Sequence, residues 1–237
     1  MGFMDMFISD DKKIRNRQRT LTNRDSQAED REIAARWLAE NGSGKALLSL
    51  LSRFDMQLEH QLNDRDEREL VYALAMAVGE PIVKPLRAHL RKCKKFAMPI
   101  RLFQQLQGET KAVEFVFDLL QIELDKDNFK PEKKTDMLVW LTQFRHPGMI
   151  ASAAPFLKDF DEAVRCAAAE VIISQQDDAG RDALEAAFGN PEEDSNRLRV
   201  RLAEVFASRR WSVSNVEAVE ANLPPSHRIA DGRVATL

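Results

Sequence analysis

Short apolar runs at helical spacing alternate with turn signals along this chain, and the alternation repeats about every 33 residues. That period limits the fold more than any other feature. One class of helix is expected to start near Ala28, Asp66, Ala97, Glu132, Glu162 and Ser195, at spacings of 38, 31, 35, 30 and 33 residues. A second class is expected near Ser43, Glu80, Glu109, Pro147, Asp178 and Ser212. Breakers separate them, such as Asn41-Gly42-Ser43-Gly44, Gly79-Glu80-Pro81, Pro147-Gly148 and Gly189-Asn190-Pro191. Each short helix pair has an apolar stripe that it cannot bury alone, so successive pairs must stack into one continuous core. Nine glycines and one tyrosine in 237 residues do not fit a β-sandwich or barrel. The expected fold is therefore all-α: an α-solenoid of five to six helix pairs over residues 27–223. A cap segment over 1–26 precedes it and a short tail over 224–237 follows. In that tail Asp231-Gly232 lies between Ile- and Val-containing runs, a signal for a hairpin or extended strand.

The clearest unit lies in the second half. After Pro147-Gly148 comes a short helix, then the cluster Asp159–Glu162, then a helix with Val164, Ala167, Ala168, Val171 and Ile172 at i, i+3, i+4, i+7 and i+8. Asp161 is placed to cap that second helix. Asp161, Val164, Arg165, Ala168 and Ala169 together resemble the HEAT-repeat signature, an Asp before Val-Arg and an Ala-rich helix. The match is closest to the short bacterial HEAT repeats that are also seen in phycobilisome lyases. The other units keep the period but not these residues. The resemblance implies a right-handed solenoid of HEAT-like pairs that serves as a scaffold or adaptor, with a lyase-like subunit or cofactor chaperone as an alternative. A tetratricopeptide array has a similar period, but its Trp, Gly-Tyr and Ala-Phe marks are missing at the required offsets.

Residues with catalytic chemistry do not cluster. His60, His89, His146 and His227 fall in different units, without the His-Glu pairs of the HEAT-repeat deoxyhypusine hydroxylases. Cys93 and Cys166 lie far apart among apolar residues, as buried free thiols do, so zinc and disulfides are not expected. Asn41–Lys45 is glycine-containing and basic, but it follows a helix and lacks phosphate-loop length, so it reads as a helix–helix turn. Trp37 and Trp140 fit core packing better than the groove of HEAT-like DNA glycosylases. Glu59, Asp64, Asp66 and Glu67, and later Glu192, Glu193 and Asp194, read as solvated loops and helix N-termini. No enzyme activity, metal or cofactor is expected. No apolar run reaches membrane-spanning length, and the start lacks the order of a secretory signal, so a cytoplasmic protein is expected.

Two charge features point to partners. No acid occurs between Glu80 and Glu109. On a helical wheel continued through this span, Lys84, Arg87, Arg91, Lys94 and Lys95 share one face beside an apolar stripe. Acids from neighbouring units, such as Glu114, Asp118 and the Glu59–Glu69 region, would offset these charges. So would an anionic partner: a protein with an acidic surface, a lipid headgroup or, least well supported, nucleic acid. The second feature is N-terminal. Phe3, Met4, Phe7 and Ile8 lie on one side of a wheel, and Lys12, Lys13 and further arginines follow without an acid from 12 to 24. This segment reads either as a cap on the first helix pair or as a peripheral membrane anchor.

Overall fold

The computed structural model describes residues 9–124 and 131–237. The described residues form thirteen α-helices and one two-stranded sheet, so the all-α expectation holds. The chain separates into two compact units, Met1–Ala112 and Val113–Leu237.

In the first unit, α1 (Asp10–Thr22) packs on α2 (Ala28–Asn41) and α3 (Gly44–Leu51), burying Ile14 and Leu21. The row α2, α4 (Gln61–Val78) and α6 (Ala97–Gln107) packs in series, and α3 packs on α5 (Val83–Leu90) in a second row. Leu38, Leu47, Leu50, Phe54, Leu86 and Phe103 fill the core, each contributing about 1.5–3 kcal/mol through burial. Local chemistry fixes the helix ends. The Ser43 hydroxyl accepts the Ala46 amide at the start of α3, and Gly42 (φ +65°) takes the left-handed conformation that closes α2.

The second unit continues from α7 (Glu109–Leu124), which begins in the first, with α8 (Pro131–Leu141). Next come α9 (Met149–Ala153), extended by a 3-10 turn to Lys158, α10 (Glu162–Ser174), α11 (Arg181–Phe188), α12 (Asn196–Arg209) and α13 (Val216–Glu220). Here α8, α10 and α12 pack in series, α9 packs on α10, and α11 packs on α12 and α13. Asp161 caps α10 by accepting the Ala163 and Val164 amides at 2.9 and 3.2 Å, as its place just before the helix predicts. The tail forms a hairpin, β1 (His227–Ala230) against β2 (Arg233–Thr236). Its turn has φ of 51° at Asp231 and 69° at Gly232, the pair of positive values a type I′ turn needs. Val234 is buried, β2 packs on α12, and the Val213 amide donates to Gly232 O at 2.8 Å.

Three helix limits differ from the sequence reading. Helix α4 starts at Gln61 rather than near Asp66, because the His60 imidazole and carbonyl take the first free amides. Helix α13 starts at Val216 rather than near Ser212, which instead bridges to Arg233 beside the hairpin. Helix α5 ends at Leu90, so the helical wheel drawn through Lys95 stops short.

Candidate partner-binding surfaces

The early end of α5 divides the basic stripe. Lys84 and Arg87 are exposed on α5, and Arg91 and Lys94 are exposed in the segment after it. The amides of Lys94 and Lys95 leave the helix to donate to Asp55 Oδ1, at 2.7 and 3.1 Å. Lys95 is half-buried, with Nζ donating to Gln57 Oε1 at 2.7 Å. Burial lowers its pKa, and Arg68 and Arg53 lower it further. Arg87 sits over the Phe103 ring, 5.9 Å from its centroid. The structure thus leaves Lys84, Arg87, Arg91 and Lys94 exposed and Lys95 half-buried beside them.

Of the N-terminal residues, Phe3, Met4, Phe7 and Ile8 lie outside the described residues. Lys12 is exposed on α1 and Lys13 is half-buried. Ile14, which continued the apolar side of the wheel, is buried, and α1 packs on α2 and α3.

Of the acids expected in solvated loops and helix N-termini, Glu59, Asp66, Glu192 and Asp194 are exposed, whereas Asp64, Glu67 and Glu193 prove to be structural. Asp64 lies inside α4 and is buried, and with Glu67 it ties together three guanidinium groups. Arg31 meets Glu67 through two hydrogen bonds of 2.9 and 2.7 Å. Arg53, fully buried, bonds to Glu67 at 3.1 Å and Asp64 at 3.0 Å. Arg68 reaches Asp64 at 2.6 Å. These carboxylates are therefore committed to Arg31, Arg53 and Arg68 rather than to the stripe. Hydrogen bonding to Glu67 raises the pKa of Arg31. In the second unit Glu193, only 2% exposed, takes two bonds of 2.9 and 2.8 Å from Arg165, whose Nη2 also reaches Asp194 at 2.8 Å.

Arg31 and Arg165 hold the same position, the fourth residue of α2 and of α10. Each donates to carbonyls of the loop that leads into its own helix: Asn23, Arg24 and Ser26 for Arg31, Asp159 and Phe160 for Arg165. Each also grips a carboxylate of the next helix pair. Lys134, the fourth residue of α8, makes the second kind of contact, to Asp159 at 2.8 Å. Arg199, fourth in α12, makes the first kind, to the Glu193 carbonyl. In α2, α8, α10 and α12 a basic fourth residue therefore fixes an entry loop, a later carboxylate, or both, whereas α4 and α6 carry Asp64 and Ile100 there.

A groove lies over α8, α10 and α12, with a volume of about 760 Å³. Its floor is Ala163, Cys166, Ala167, Val139 and Val200, and Val139 is 52% exposed. Small side chains on α10 make the valley, because a residue at 163 or 167 longer than Ala would fill it. Arg201 spans one side to Glu170 through bonds of 2.5 and 3.0 Å, and hydrogen bonding to Glu170 raises its pKa. The Cys166 thiol faces the groove, and burial raises its pKa, so it contributes apolar surface rather than a thiolate. The sequence reading assigned Ala167 and Cys166 to helix packing, and nothing in their spacing marks an uncovered face.

Among the described residues no three His, Cys, Asp or Glu side chains converge to hold a metal, and no helix is long and apolar enough to cross a membrane. No family model matches the chain, and no curated protein matches it.

Proposed function

We propose that this chain is a non-enzymatic scaffold or adaptor, a right-handed α-solenoid of HEAT-like helix pairs that binds a protein partner. The observation that carries this reading is the groove over α8, α10 and α12. Its apolar floor is uncovered, and two of its charged groups, Arg201 and Glu170, pair with each other, with Arg197, Asn196 and Glu204 on its lining as well. A floor of this kind receives an apolar helix face or an extended segment, with rim contacts supplying orientation. Uncovered apolar surface is costly to a soluble fold unless it is used. The exposed cations Lys84, Arg87, Arg91 and Lys94 support a second part of the reading, steering of a partner with an acidic surface.

Affinity capture from the source lysate, quantified by mass spectrometry, tests the reading. The baits are wild type, Ala163→Trp, and Arg87→Glu combined with Arg91→Glu. A binary partner should be depleted at least fivefold on the Ala163→Trp bait, with a smaller, salt-dependent loss on the charge-reversed bait. Equal recovery of every protein on all three baits refutes the adaptor reading.

A further inference from the structure

A second surface of the Val113–Leu237 unit stands apart from both the groove and the stripe. Phe160 is 97% exposed, the most exposed large apolar side chain among the described residues. Yet the backbone that carries it is held on every side. Arg165 Nη1 donates to the Asp159 and Phe160 carbonyls at 3.1 and 3.0 Å. The Asp161 amide donates to Asp159 Oδ1 at 3.0 Å, and Lys134 Nζ holds Asp159 Oδ2 at 2.8 Å. Asp161 is fixed in turn as the cap of α10. A phenyl ring in water on a loop tied by this many bonds has already lost the backbone freedom that binding would otherwise remove.

The ring borders a pocket of about 820 Å³ between the 3-10 turn ending at Lys158, α11 and the loop 189–194. Ala154, Leu157, Ala183 and Ala186 supply its apolar wall. Two cations, Lys158 and Arg165, face four carboxylates around it, Asp159, Glu192, Glu193 and Asp194. Arg165 is taken by Glu193 and Asp194, and Asp159 by Lys134, while Glu192 and Asp194 stay exposed to solvent. The unit as a whole carries 15 Lys and Arg against 22 Asp and Glu, a balance of −7. Two copies meeting face to face through this patch would set these acid rims against each other, which disfavours a symmetric pair.

We infer that Phe160 and the adjoining pocket form a docking site for a basic segment of a partner protein. An apolar side chain of that segment enters the Ala-lined pocket against the Phe160 ring, and its Lys or Arg residues face Glu192 and Asp194. A buried aromatic anchor supplies affinity in an interface core, and complementary charge around it supplies orientation and specificity. This site goes beyond the adaptor reading: it lies outside the groove, and it selects the opposite charge from the stripe.

Selection of a phage-displayed library of random 12-residue peptides on the full chain tests the inference, with fluorescence anisotropy on the best peptide. Enriched peptides should carry net positive charge and at least one Leu, Ile, Met or aromatic residue. Phe160→Ser should weaken the best peptide at least tenfold, and Glu192→Lys about threefold with a flatter salt dependence. Ala163→Trp, in the groove, should leave it unchanged. The Phe160 side chain touches solvent, so Phe160→Ser should unfold at the wild-type temperature by circular dichroism. No enrichment, enrichment of acidic peptides, or affinity indifferent to Phe160→Ser overturns the inference. So does a wild-type dimer in sedimentation velocity that Phe160→Ser dissolves, which would give the patch to a second copy. Each of these results leaves the groove reading intact, because that reading is tested on different variants.

Discussion

Arg31 and Arg165 do the same job in the two units, but the units carry opposite net charge. Both stand fourth in their helix, both tie down an entry loop, and both take a carboxylate of the following pair in two hydrogen bonds. Around Arg31 the charges balance, since Arg31, Arg53, Arg68 and Lys95 face Glu67, Asp64, Asp55 and Glu29. The surplus is positive over the whole unit, which has 20 Lys and Arg against 16 Asp and Glu, a balance of +4. Around Arg165 the carboxylates outnumber the cations, since Glu193 and Asp194 share one guanidinium. One local device is thus compatible with either sign of surface. The device belongs to the fold, while the surplus charge of the unit around it distinguishes what each unit can attract.

The largest expected effect of breaking this comparison is at Glu67. Glu67→Ala leaves Arg31 with backbone carbonyls alone and strips Arg53, which has no solvent exposure, of one of its two carboxylates. Removing one partner of a buried ion pair costs about 3–5 kcal/mol. A large drop in the urea midpoint is therefore expected, and a shift under about 1 kcal/mol would mean that water reaches the network.

Glu193→Ala is the matched change in the second unit, and its effect should be smaller. Arg165 keeps Asp194 and the carbonyls of Asp159 and Phe160, so the expected loss is about 1–3 kcal/mol. If Glu193→Ala costs as much as Glu67→Ala, the surplus carboxylate at Asp194 gives no compensation, and the contrast between the two settings fails.

Most helices and the turns between them were readable because punctuation and helical spacing are local properties. Cap residues such as Asp161, and the turn at Asp231-Gly232, were readable for the same reason: their chemistry acts within three or four residues. The pairings were not. Arg31 meets Glu67 across 36 residues, Arg165 meets Glu193 across 28 and Lys134 meets Asp159 across 25, so no fixed spacing announces them. Without those pairings, Asp64, Glu67 and Glu193 looked like solvated acids. The basic stripe was over-extended because the wheel assumed a helix through Lys95. The backbone leaves that helix at Leu90, and Asp55, 39 residues before Lys94, receives the next amides. The groove was hidden for a different reason: it consists of volume that small side chains leave empty, and an Ala-rich helix looks the same whether its Ala face is packed or open. Phe160 read as part of a punctuating cluster, and only its surroundings set it apart.

Lys95 gives the smallest effect, and it checks the sign of the surplus charge in the first unit. Burial, Arg68 and Arg53 lower its pKa against the opposing pull of Asp64 and Asp55. Between this lowered folded value and the ordinary 10.5 of the unfolded chain, the native state holds fewer protons. Stability therefore rises with pH across that window and carries a penalty below it. Lys95→Met removes the charge and keeps most of the stem, which packs as a lysine stem does. The variant should match or exceed wild-type stability at pH 7, within about 0.5 kcal/mol, and lose that advantage as pH approaches the unfolded pKa. Paired urea titrations at pH 7 and pH 10 measure both quantities. A variant less stable at pH 7, with a gap that narrows at pH 10, would show the Lys95 ammonium to be a net stabiliser through Gln57, Asp55 and Asp64. The first unit would then have no surplus cation at this position, and its difference from the second would rest on the exposed stripe alone.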